Sequence, residues 1–155
     1  SPVAHSLVGR PVGPEMPANY ARLCLSYCVA RCLLAGDVAG AHFSSQALRD
    51  PQVLALAARI EVDTFDMAEP SAFGPSRVSI TYADGTRAEE TIGQALGHPS
   101  NPVSDGQRSD KFRANCRAPL QPLEEARIVA LEDRIADLDR LQDVRQLMEL
   151  ACLAT

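Results

Sequence analysis

The chain has 155 residues, 46% of them hydrophobic and 23% charged, with a formal net charge of −5 from 20 acidic and 15 basic side chains. Such a length suits one domain, or one and a fraction, whose core buries roughly 70% of the unfolded surface without disulfides or metal, and the composition excludes collagen-like, low-complexity and largely disordered classes. No apolar run approaches the roughly 20 residues that span a bilayer, and an acidic chain without a clustered basic stripe has no electrostatic footprint for nucleic acid.

Residues 1–19 hold four prolines (Pro2, Pro11, Pro14, Pro17) and read as an irregular lead-in with a short extended piece at Ser6–Gly9. The pattern then predicts a helix from Pro17 or Ala18 to Ala35, stopped by Gly36 and apolar on nearly every side except at Arg22, Ser26 and Arg31, hence buried. Two short helices follow, Phe43–Arg49 capped by Ser44 and Pro51–Ala58 with Asp50 as N-cap. Alternation at Arg59–Asp63 and Arg77–Tyr82, a two-residue hairpin signal at Asp84-Gly85 and a return strand at Thr86–Ile92 predict about three antiparallel strands. One apolar face of that sheet should rest on helices.

Gly97–Pro102 reads as a turn-rich loop. Ser104 and Gln107 form a capping box for a helix running to about Arg117. Beyond Pro119 and Pro122, Ile128, Leu131, Ile135 and Leu138 mark a narrow apolar stripe, and a last helix is expected from Asp143 to about Leu153. The order predicts an α+β fold: a small antiparallel sheet of about three strands packed on helices, followed by a helical C-terminal tail. A boundary at 118/119 would divide an α+β domain, 1–118, from C-terminal helices, 119–155.

Five cysteines is an odd number, so at least one is outside any internal disulfide. Cys24, Cys28 and Cys32 recur every four residues along one helix face, which suits small buried apolar side chains. Metal ligation by that face is the alternative, although no second cluster stands at zinc-ligand spacing. Reduced thiols without a signal segment point to a cytoplasmic protein. Lys111 is the only lysine beside 14 scattered arginines, as codon usage in a GC-rich, bacterial genome would produce. The chain opens Ser1-Pro2, consistent with a fragment, a processed chain or a tag scar.

No phosphate loop, nucleophile elbow or HExxH zinc motif occurs. His98, in the turn-rich loop, is a candidate proton carrier or simply a solvated loop histidine, and His5 and His42 read as surface residues. Tyr27, mid-helix, is either a core aromatic with a buried partner or a hydroxyl that hydrogen-bonds a substrate carboxylate. Lys111 is a possible amine or a solvated helix residue. The acidic pairs Glu89-Glu90 and Glu124-Glu125 read as solvated charges. These residues form no complete nucleophile–base–orienter set.

The blocks Arg10–Pro14, Asn19–Gly36, Phe43–Ala57, Val78–Gly85 and Gly97–Ser104, then Lys111-Phe112 and the Leu/Glu/Asp-rich tail, together resemble the MmgE/PrpD family over nearly the whole chain and in order. The family comprises 2-methylcitrate dehydratase, cis-aconitate decarboxylase and iminodisuccinate epimerase. The resemblance implies acid–base chemistry beside a carboxylate, on small di- or tricarboxylates, with neither metal nor cofactor, in homodimers that bind no nucleic acid or membrane. It also implies a large helical domain, with most catalytic groups, upstream of an α+β lid that this chain would supply. The C-terminal helices would dock on that helical domain. Tyr27 matches a family tyrosine facing the substrate; His98 and Lys111 match recurrent positions. His98 is carried as a second substrate-binding candidate, and Lys111 has no assigned role. On this reading the chain alone is not catalytically competent. The alternative is a stand-alone interaction or dimerisation module that keeps the lid fold without catalysis.

Overall fold

The computed structural model describes residues 2–64, 75–119 and 121–152. The chain forms two compact units, Ser1–Ala72 and Phe73–Thr155. Helices and an antiparallel hairpin make it α+β, as expected, with two strands among the described residues rather than about three.

The first unit carries α1 (Pro2–Val8), α2 (Ala18–Arg22), α3 (Leu25–Ala35) and α4 (Pro51–Ala57). The lead-in is helical where an extended piece was expected. Proline preorganises a first helical turn, and the Gly9 amide closes α1 on the His5 carbonyl at 2.7 Å. The long helix expected from 18 to 35 is broken at Cys24, whose backbone is extended and whose thiol donates to the Arg10 carbonyl at 3.1 Å. Gly36 ends α3 at φ 83°, in the left-handed conformation natural to glycine. Nor is α3 buried on every side: Leu33 and Leu34 are half exposed, because the seven-residue α4 packs along one face of an eleven-residue helix.

Ala21, Cys24, Tyr27, Ala30, Leu48, Val53 and Ala57 form the core of this unit. Small side chains at 21, 24 and 30 leave the volume of this core to Tyr27 and Val53. Asp50 caps α4 as expected, its Oδ1 accepting from the Gln52 amide at 3.0 Å and the Val53 amide at 3.5 Å. The segment before it is not one helix but two 3₁₀ turns, Gly40–Phe43 and Ala47–Arg49, with Ser44 Oγ accepting from the Ala47 amide at 3.3 Å. Residues 60–64 are irregular, so the strand expected at Arg59–Asp63 is absent. The Val62 carbonyl accepts instead from His5 Nε2 at 2.9 Å.

The second unit begins its described part with β1 (Ser76–Thr81) and β2 (Arg87–Ile92), paired from Ser76↔Ile92 to Thr81↔Arg87. The connection has three residues, not two. The Tyr82 amide donates to Thr86, the Gly85 amide returns to the Tyr82 carbonyl, and Gly85 takes φ 84°, a type I turn with a left-handed glycine bulge. One hairpin face is charged, with Glu89 between Arg77 and Arg87. The other carries Val78, Ile80, Ala88 and Ile92 beside Ser76 and Glu90, and of its apolar residues only Ile80 is even half-buried. The apolar face that alternation predicts is therefore present but uncovered among the described residues.

Helix α5 (Asp105–Arg117) starts at the expected reciprocal capping box of Ser104 and Gln107, with bonds of 3.2 and 2.9 Å. Helix α6 (Glu125–Ala136) is joined to it by Glu132, which accepts from Ser109 and pairs with Arg113, and by Glu125, which binds Arg117 through both oxygens at 2.8 Å. Ile128 and Leu131 are buried, whereas Ile135 and Leu138 are half exposed, so only the first half of the predicted stripe is covered. Helix α7 (Arg145–Ala151) packs on α6. Arg127 of α6 reaches its C-terminal carbonyls at Glu149 and Cys152, where a cation offsets the helix dipole. Leu153, the expected end of this helix, lies outside the described residues. No helix among the described residues is long and apolar enough to cross a membrane.

Candidate functional site

A buried polar network grows out of α3. A turn apart on that helix, Tyr27 and Arg31 are both buried, and an arginine cannot remain so without partners. Its Nε donates to the Tyr27 hydroxyl at 3.0 Å, one Nη pairs with Asp50 at 3.2 Å, and the other donates to the Ala47 carbonyl. The Tyr27 hydroxyl in turn donates to the His42 carbonyl at 2.6 Å, with the Ala47 carbonyl at 3.3 Å. Phe43 packs against the tyrosine ring at 6.0 Å between centroids. Side chains of one helix thereby pin the whole 42–50 connection.

Where that connection turns away from α3, it leaves a cavity of about 780 Å³ lined by Arg31, Ser44, Ser45, Gln46, Arg49 and Asp50 among others. Two guanidinium groups, two hydroxyls and an amide face one carboxylate, a donor set suited to small anions. Sequence reasoning missed this group. The available signal was Arg31, four residues after Tyr27 in an otherwise apolar helix, since a cation there requires a nearby acceptor.

The expected site residues are distributed over both units. Tyr27 is fully buried in the first, with its hydroxyl engaged as described. His98 is exposed in the second, in a tight turn where the Gly97 amide donates to the Asn101 carbonyl and the Asn101 amide to the His98 carbonyl. Its Nδ1 accepts from the Ser100 amide at 3.1 Å and lies 2.7 Å from the Ser100 hydroxyl; the ring proton is consequently on Nε2 when the imidazole is neutral. Lys111 is exposed on α5 beside the half-buried Phe112 and Arg113. His42 is half-buried and accepts from the Ala39 amide at 3.0 Å, so it is more than a surface residue.

The cysteine row climbs out of the core, from buried Cys24 through half-buried Cys28 to exposed Cys32. Burial, and then the adjacent Cys24, push the Cys28 thiol above its ordinary range. Among the described residues no group of three His, Cys, Asp or Glu side chains is placed to hold a metal ion.

Comparison with known proteins bears on both units. A curated relative, the cis-aconitate decarboxylase of Mus musculus, is 27% identical over 136 residues, which cover 83% of this chain and 27% of that protein. Residues 1–137 match the model of the MmgE/PrpD C-terminal domain. The chain therefore belongs to the MmgE/PrpD family, as a bearer of its C-terminal domain.

Proposed function

We propose that this chain is the C-terminal part of a lyase or isomerase that carries out metal-free acid–base chemistry on a small di- or tricarboxylate. The observation that carries this reading is the match along residues 1–137, together with the likeness to a cis-aconitate decarboxylase. Dehydration, decarboxylation and epimerisation of such substrates share one demand: charge that develops beside a carboxylate must be held by oriented donors. This chain contributes Tyr27, whose hydroxyl exchanges the His42 carbonyl for a substrate carboxylate, and His98, which presents Nε2–H. The principal acid and base belong to a helical domain outside this sequence, and the chain alone is inactive. The C-terminal helices, 119–155, dock on that domain, with 1–118 as the lid. The complete protein is a bacterial, cytoplasmic homodimer.

The bare hairpin face and the exposed Ile135, Leu138, Val144 and Met148 favour one other reading, a stand-alone interaction module. Expression from the intact coding region separates the two. A longer product that turns over cis-aconitate or 2-methylcitrate, while the 155-residue chain does not, supports the first reading; a coding region that yields this chain alone overturns it. In the active product, Tyr27→Phe should lower turnover well beyond its effect on stability, and unchanged kinetics remove Tyr27 from the site.

A further inference from the structure

We propose that the cavity of the first unit is a binding site for a small oxyanion, carboxylate or phosphate, which adjoins Tyr27 through Arg31 but draws on donors that the catalytic reading does not use. Its floor is Arg31, only 8% exposed and locked in place by Tyr27, Asp50 and the Ala47 carbonyl. The rim is free by comparison. Arg49 has one ionic partner among the described residues, Glu15 at 3.7 Å, and both side chains are largely exposed, a pair that water and salt readily loosen. Ser45 and Gln46 have no side-chain partner among the described residues. Ser44 accepts the Ala47 amide through its oxygen and keeps its own proton to donate.

The single lining carboxylate does not compete for these donors, because Asp50 is already engaged by Arg31 and by the amides of Gln52 and Val53. The lining charges alone, Arg31 and Arg49 against Asp50, sum to one positive, and the loose, exposed pair with Glu15 leaves Arg49 open to a competing anion. A carboxylate or phosphate meets the Arg49 fork with two oxygens; the second lone pairs of a carboxylate, or the further oxygens of a phosphate, are left for Ser45 and Gln46. The lining residues lie between 31 and 51 and are held by partners of the same unit, Tyr27 among them, so the site does not depend on the catalytic reading.

The test is titration of the full chain, in low-salt buffer, with sodium succinate and separately with inorganic phosphate, followed through backbone amide shifts. The expected result is saturable shifts confined to residues 44–51, absent with sodium chloride at equal ionic strength. Affinity should fall about tenfold in Arg49→Gln, the loss of one charge-assisted contact, and be unchanged in Arg87→Gln on the hairpin. Saturation by succinate alone assigns a carboxylate ligand, by phosphate alone a phosphorylated one, and by both a general oxyanion site. No saturable shift with either probe, or equal affinity in Arg49→Gln, overturns the proposal. Ser45→Ala, on the same exposed rim, should weaken binding a few-fold and guards against an Arg49→Gln variant that folds poorly.

Discussion

Replacing Tyr27 by phenylalanine removes one oxygen atom from the middle of the first unit and leaves the ring, its contact with Phe43 and the Arg31 cation above it in place. Two interactions of consequence disappear. The 2.6 Å bond to the His42 carbonyl is an ordinary neutral hydrogen bond, worth about 1 kcal/mol net. The 3.0 Å bond from Arg31 Nε involves a cation and contributes about 1.5–3 kcal/mol. The third contact, at 3.3 Å to the Ala47 carbonyl, is a second branch of the same proton and adds little, since that carbonyl also accepts from Arg31 and from the Asp50 amide. The expected cost is about 2–4 kcal/mol. With two compact units a single unfolding curve is ambiguous, so the assay is native-state hydrogen exchange at the Leu54 and Ala58 amides, which bond to Asp50 and Leu54. A double-mutant cycle with Arg31→Met should give a coupling of about 1–2 kcal/mol. A loss below about 0.5 kcal/mol would refute the network as a source of stability.

Asp50 both caps α4 and neutralises Arg31, and two variants separate these roles. Asp50→Asn should keep the cap and lose about 1–3 kcal/mol through the unpaired cation, while Asp50→Ala should lose about 1 kcal/mol more, both read by the same exchange measurement. In the second unit the Ser109 hydroxyl, and then Arg113, hold Glu132 below its ordinary value of 4.5. Its contribution to the α5–α6 pairing is complete above that pH and lost as pH falls through the lowered value; in an acid titration followed by circular dichroism, Glu132→Gln should flatten that loss. Gly85→Ala places a side chain at φ 84°, costing about 1–2 kcal/mol in a two-stranded hairpin that has little to spare, and the cross-strand proton contacts of Val78 with Glu90 should vanish from nuclear Overhauser spectra.

Local signals in this sequence were strong and reliable. The Ser104–Gln107 box, the Asp50 cap with Pro51 behind it, the Gly36 stop and the turn at Asp84-Gly85 each specify a backbone conformation through a few adjacent atoms; the first three occur as expected and the fourth does so with one more loop residue. The failures required knowledge of a distant partner. Arg59–Asp63 alternates like a strand, yet the Val62 carbonyl goes to a histidine 57 residues earlier. The break at Cys24 depends on the Arg10 carbonyl, and the exposure of Leu33 and Leu34 on how far α4 extends. The cavity was illegible for the same reason. Arg31 was visible as an interruption of an apolar helix and Asp50 as a cap, but their pairing across 19 residues belongs to tertiary structure. Tyr27 and His98 stood out by their places, mid-helix and in a turn-rich loop, but each kept a structural alternative there, and only the family resemblance favoured the substrate-binding one.

The row of thiols along α3 makes the chain its own reporter of local opening. A slow alkylating reagent meets Cys32 at the surface, Cys28 only partly and in a form that resists ionisation, and Cys24 not at all while the helix stays docked. Reaction at Cys24, whose thiol is held on the Arg10 carbonyl at the head of α3, therefore counts the moments when this part of the core opens, against Cys32 on α3 as an internal clock. Cys116 and Cys152, on the second unit, give a parallel reading for α5 and the end of α7. Mass spectrometry of the labelled peptides would turn five residues of one kind into a time-ordered map of which part of each unit loosens first, without a single substitution.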